Sequence, residues 1–152
     1  MLSISGNIYV GEHRRSADEK GRVPLPSKWR FGSEHGEIYI ALPNPSGCVT
    51  VYPPKMVDSL REKVSNISLG DKIGQKTLTR LFSKADQITC DSQGRISLNQ
   101  MLISHGGLSR EILMVGNFVT FGIWNPERYG AYLQRDGEED DEISKILMQL
   151  GL

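Results

Sequence analysis

Two short segments carry the residue types best suited to chemistry. One is Asp18-Glu19-Lys20-Gly21-Arg22 and the other is Asp91-Ser92-Gln93-Gly94-Arg95. In each, the Asp side chain can accept hydrogen bonds from the turn amides that follow it, and the Gly three residues on suits a positive φ. Asp18, Gly21, Asp91 and Gly94 therefore read as turn formers. The Arg that closes each motif has two compatible readings. It pairs with the Asp four residues earlier and locks the turn, or it offers its guanidinium to an anion. The first motif sits in a dense basic set, with Arg14, Arg15, Lys20, Lys28 and Arg30 around Arg22. The second has only Arg95, with Gln93 and Asn99 nearby.

The elements that position these motifs also come in pairs. Asp, Gly, Arg and Leu of 18–25 recur in 91–98. At nearly the same offset, Ile38-Tyr39-Ile40 answers to Ile112-Leu113-Met114, Val51-Tyr52 to Ile123-Trp124, and Pro54 to Pro126. Such a constant offset over some 40 residues marks two copies of one supersecondary unit. Each copy reads as a turn, a short strand (Arg22–Leu25; Arg95–Leu98) and a helical turn (Pro26–Phe31; Asn99–His105). Two strands follow, Glu37–Leu42 then Cys48–Tyr52 in one copy, Glu111–Gly116 then Val119–Trp124 in the other. A helix opened by proline ends each copy, Pro54–Ser65 and Pro126–Gln134. In the first of these helices Met56, Val57, Leu60 and Val64 share a face. Between the copies, Lys72–Phe82 reads as helical, with Gly74 its weak point or its start. After Arg135 an acidic run, Asp136 to Glu142, leads into Ile143, Ile146, Leu147 and Leu150 at helical spacing. That stripe fits either the chain's own core or a neighbour.

Charge separates along the chain. Residues 1–30 hold six basic against three acidic, 31–135 eleven against nine, and 136–152 one against six. A mildly basic body is thus masked by an acidic tail, a pattern compatible with a polyanion partner or with a solvated surface. It also raises competition between tail and polyanion for the basic face. At 152 residues, 38% apolar and 24% charged, the chain is ordinary for a globular protein and too ordered in composition for wholesale disorder. No apolar run approaches a membrane span, and the first ten residues lack the basic start of a signal peptide. Cys48 and Cys90 stand far apart, outside any CxxC, and read as reduced core thiols in a cytoplasmic protein.

Signals of catalysis are lacking. His13, His35 and His105 make no H-x-x-x-H spacing, and no nucleophile elbow or phosphate-binding P-loop occurs. Glu138-Glu139 and Asp140-Asp141 read as a solvated charge run rather than a metal site. The expectation is a non-enzyme with no cofactor and no metal.

At the paired motifs the chain resembles the MraZ family over about residues 8–135. The resemblance rests on Gly11, on Asp18 through Val23 with Pro26, on Val51-Tyr52-Pro53, on Arg80-x-Phe82-x-x-Ala85, on Asp91-x-x-Gly94-Arg95-Ile96, on Gly107-Leu108, and on Val115-Gly116 followed by Ile123-Trp124. It implies an α+β, β-rich fold of two tandem SpoVT-AbrB-like units, whose strands interleave as a swapped-hairpin or double-psi-like barrel. Short helices flank them, and subunits assemble into a ring. The implied units are 11–56 and 85–128, with a helical connector at 57–84 and a C-terminal helix and acidic tail at 129–152. The resemblance further implies a transcription regulator in the nucleoid. It would bind repeated boxes in double-stranded DNA upstream of its own operon, the division and cell-wall gene cluster. On that reading Arg22 reaches base or phosphate, while Arg14, Arg15, Lys20, Lys28 and Arg95 complete the DNA-binding set. The rival is a protein-interaction or antitoxin-like module, which two fused copies and a short tail disfavour.

Overall fold

The computed structural model describes residues 8–30, 37–135 and 139–152. The expected end of the first helical turn at Phe31 and the start of the acidic run, Asp136–Glu138, lie outside them. Strand β1 (Glu12–Ser16) runs into the first turn, β2 (Arg22–Pro24) leaves it, and a 3-10 turn follows at Ser27–Trp29. β3 (Tyr39–Pro43), β4 (Val49–Tyr52) and α1 (Pro54–Ser65) complete the first series. Helix α2 (Lys72–Phe82) leads to the second: β5 (Asp86–Ile88), β6 (Arg95–Ser97), α3 (Gln100–Gly106), β7 (Glu111–Gly116), β8 (Phe121–Trp124) and α4 (Pro126–Gln134). Helix α5 (Glu139–Gln149) ends the chain. The two series match element for element, with the short 3-10 turn standing where the second has α3.

They do not fold side by side. The large sheet has the order β1-β7-β8-β4-β3-β5, and β2 pairs with β6 in a separate ribbon. The opening strand of each series thus pairs with the third strand of the other, β1 with β7 and β5 with β3. β4 and β8 join the halves at the centre. The ladder is open, with β1 and β5 at its edges, and the ribbon packs its apolar residues on one face of that sheet.

Alternation decides what each face buries. Ala41, Val49, Val51, Ile112, Met114, Phe121 and Ile123 point to the ribbon's side and meet Val23, Leu25, Ile96 and Leu98 from it. Trp29, 1% exposed, seals the end of this core. Its ring lies 5.3 Å from that of Tyr9 and 4.9 Å from that of Phe121. On the other face Cys48, Leu113 and Trp124 form a smaller cluster with Val115 and Tyr129, which α4 supplies. Burial in apolar surroundings pushes the Cys48 thiol pKa up, as expected of a core thiol rather than a reactive one. No described helix is long and apolar enough to cross a membrane.

Helices α2, α3 and α4 begin where a side chain satisfies their first amides. Asp71 caps α2 by accepting from Gly74 N, so Gly74 falls in the first turn, where its low propensity costs little. Asn99 caps α3 through Leu102 N, and Asn125 caps α4 through Glu127 N and Arg128 N. In α5 Ile143, Ile146, Leu147 and Leu150 are exposed, so the stripe is no part of this chain's core.

Candidate nucleic-acid interface

Both motifs fold into the same closed turn. Asp18 Oδ1 accepts from the backbone N–H of Lys20 (2.9 Å) and of Arg22 (2.8 Å), and Asp18 Oδ2 accepts from Arg22 Nε at 2.6 Å. Asp91 repeats this with Gln93 N, Arg95 N and Arg95 Nε, each at 2.9 Å. The glycines take φ +75 at Gly21 and +78 at Gly94, the left-handed conformation that a side chain disfavours. The backbone N–H of each arginine, followed by its guanidinium, holds both carboxylates below the usual value of 3.8.

The ribbon then sets the two turns against each other. Register Arg22↔Ser97, Val23↔Ile96 and Pro24↔Arg95 puts Arg22 and Arg95 on the outer face, because Val23 and Ile96 point into the core. Leu25 N donates to Gly94 O and Leu98 N to Gly21 O, so each strand's exit is tied to the other turn. Arg95 Nη1 comes within 3.9 Å of Asp18 Oδ2, making one four-residue cluster. Their side chains stay 34% and 25% exposed, so each arginine is fixed in direction yet open to a partner. Among the described residues no hydrogen bond engages the Nη atoms of Arg22.

The remaining basic residues divide. Lys20 lies exposed at the tip of the first turn and Lys28 is exposed on the 3-10 turn. Arg15 pairs with Ile112 and so faces the ribbon's side of β1, its Nη1 donating to Arg14 O at 2.7 Å. Arg14 pairs with Leu113 and points to the α4 side. Adjacent on the chain, the two arginines serve opposite faces of one strand. Arg30 is exposed but tied back onto the chain: Nε and Nη2 both donate to Leu25 O, at 2.9 and 2.7 Å. Asn99 is spent on capping α3. His13 packs edge-on against Trp29, with ring centroids 5.0 Å apart, and its Nε2 lies 3.2 Å from Val10 O. One residue beside the cluster has no local signal in the sequence. Arg110 is exposed, and its carbonyl accepts from Ala17 N, next to Asp18, at 2.7 Å. Only the β1–β7 pairing brings it there. Among the described residues no group of three His, Cys, Asp or Glu could hold a metal ion.

Comparison with known proteins bears on the whole chain. A regulator named Transcriptional regulator MraZ from Halothermothrix orenii is 30% identical over 145 residues, covering 95% of this chain and all of its own length. The chain belongs to the MraZ family. Similar relatives of the same name occur in Alkaliphilus metalliredigens, 30% identical, and Clostridium tetani, 29% identical, each over 95% of this chain and all of the relative. A family model described as "MraZ protein, putative antitoxin-like" matches residues 81–146, which span the second turn, α3 and α4. By the names its members carry, MraZ is a family of transcriptional regulators, not of enzymes.

Proposed function

We propose that this chain is a sequence-reading DNA-binding regulator of transcription whose contact surface is the outer face of the β2–β6 ribbon with its two turns. The observation that carries this reading is the pair of fixed arginines. Each is held through Nε by its own aspartate, in repeated geometry, and each keeps part of its side chain in solvent. A donor already held in place loses little conformational entropy when it meets a base edge or phosphate. Arg22 is the primary reader and Arg95 its weaker counterpart, since Arg95 also leans on Asp18. Lys20, Lys28 and Arg15 are phosphate contacts that set register. A single flat contact takes Arg15 or Arg14, not both, so Arg14 stands outside it.

Two AbrB-like units, 11–56 and 85–128, interleave in this reading, joined by the connector 57–84 and followed by 129–152. One subunit offers few cations, so binding is weak alone. A ring-like assembly meeting repeated boxes upstream of its own operon, in the division and cell-wall gene cluster, gains avidity without new contacts. The work would be done on the nucleoid in the cytoplasm. Relatives named as transcriptional regulators support this assignment.

The test is fluorescence anisotropy with duplex from upstream of this gene and a scrambled duplex of equal length, across a salt series. Tighter binding to the upstream duplex is expected, weakening as salt rises. Arg22→Ala, with native circular dichroism, is expected to cost about 1–3 kcal/mol on the cognate duplex, and Lys20→Ala to lower the salt slope by about one. Equal or absent binding to both duplexes would overturn this reading in favour of an antitoxin-like interaction module.

A further inference from the structure

We infer that α5 of one copy docks antiparallel on the outer face of α2 of a second copy. The inference rests on the self-assembly part of the proposed function and names the surfaces that meet.

Both faces are uncovered. On α5, Ile143, Ile146, Leu147 and Leu150 share one side and are 41–65% exposed. On α2 the inner side carries half-buried Leu78 and Phe82, while Ile73, Lys76 and Arg80 line the outer side. Ile73 is 81% exposed, and Leu69, just ahead of the helix, is 90% exposed. Six uncovered aliphatic side chains on two helices of one chain or at their ends are more than solvation alone explains.

The two faces also match in order and in charge. Along α2 the outer face runs from apolar, Leu69 and Ile73, to basic, Lys76 and Arg80, with Lys84 beyond. Along α5 it runs from acidic, Asp140, to apolar, Ile143, Leu147 and Leu150. Only the antiparallel alignment sets acid against base and apolar against apolar. The spacing agrees: seven residues separate Ile73 from Arg80 and seven separate Asp140 from Leu147, about 10 Å on either helix. One register therefore sets Asp140 by Arg80 and Leu147 by Ile73. Residues 54–84 carry seven basic against three acidic residues, and 139–149 four acidic against one basic. The acidic N-terminal turn of α5 would also lie beside the C-terminal end of α2, where opposed helix dipoles favour it.

A second copy is the fitting occupant because each chain displays both halves while covering neither. Such a contact is head-to-tail, and it closes into a ring when the rotation per subunit allows.

Sedimentation velocity of the full chain tests this. The wild type is expected to sediment as an assembly, and Ile73→Asp and Leu147→Asp each as a monomer with unchanged circular dichroism, since both positions are exposed. Mixing the two variants is expected to restore a one-to-one dimer, because the Leu147→Asp chain keeps α2 intact and the Ile73→Asp chain keeps α5 intact. Arg80→Glu is expected to lower assembly, most at low salt, and Arg80→Glu with Asp140→Arg to restore it. Assembly by Ile73→Asp at the wild-type level, or two monomeric variants that give no dimer on mixing, would overturn the α5–α2 pairing while leaving self-assembly standing. A wild type that stays monomeric would overturn both.

Discussion

Gly94 and Gly21 occupy the same place in the two repeats, yet their replacement by alanine is expected to have unequal cost. The conformational part is shared. Both glycines have φ near +75, where a side chain costs about 1–2 kcal/mol. The space around them differs. A Cβ at Gly21 meets the Ile103 methyl Cδ1 at 3.0 Å, which a small side-chain shift relieves, and the backbone Leu98 O at 3.3 Å, which must give by only a few tenths of an ångström. A Cβ at Gly94 runs into Arg30 along Cδ, Nε and Cζ, all closer than 3 Å. Arg30 must then leave and release Leu25 O, where it donates twice. Losing hydrogen bonds from a charged donor adds about 1–3 kcal/mol. Gly94→Ala is therefore expected to cost about 2–5 kcal/mol and Gly21→Ala about 1–2. Urea denaturation gives both numbers as shifts in midpoint at constant slope. Arg30→Ala supplies the control: on that background Gly94→Ala should cost only the backbone part, a non-additivity expected of residues in contact. Equal losses at the two glycines, or a Gly94→Ala cost that ignores Arg30, would refute the reasoning.

Three further outcomes follow from the geometry. Asp18 and Asp91 have folded-state pKa values lowered below 3.8, so their stabilisation is present above that pH and lost as pH falls through the lowered values. The stability difference between wild type and Asp91→Asn should therefore shrink below pH 3.8, and a difference constant into strong acid would contradict the pairing. Tyr129 donates to Glu12 Oε2 at 2.8 Å, and burial followed by that carboxylate raises its pKa to about 12. A phenolate absorbance titration should show a component ionising near pH 12 that Tyr129→Phe removes; its contribution to stability is present below pH 10 and lost as pH rises through about 12. Asn125 both caps α4 and donates through Nδ2 to Gly107 O at 2.9 Å, whereas Asn99 only caps α3. Asn125→Ala is expected to cost about 2 kcal/mol against about 1 for Asn99→Ala, measured by the same urea midpoints.

Much of this fold is legible along the chain because its determinants are local. Helices α1 and α4 appear over the spans that their opening prolines indicate, α2 over the span that reads as helical, and β7 over Glu111–Gly116. Strands β3, β4 and β8 start one or two residues later than alternation suggests. The first helical turn shrinks to three residues of 3-10. The turns themselves are local: an aspartate reaching amides two and four residues on needs nothing from the rest of the protein.

The site is less legible, because strand pairing between distant residues builds it. Arg14 and Arg15 are indistinguishable as neighbours in a basic run, and only the pairing of β1 with β7 sends them to opposite faces. Arg30 belongs to the same run but has its guanidinium tied back to Leu25 O. Asn99 looks like a reader of bases and is a helix cap. Arg110 reaches the first turn only through the sheet.

By itself, then, the sequence determined the repeat, the two Asp-held turns, the order of strands and helices apart from the edge strands β1 and β5, and the family, since each depends on residues a few positions apart or on their recurrence. Tertiary structure decided how the copies interleave, which cations face outward, and that the apolar stripe of the last helix finds no cover among the described residues. Those outcomes depend on which strands pair and on which face each side chain then occupies. Neither is written in any local stretch of residues.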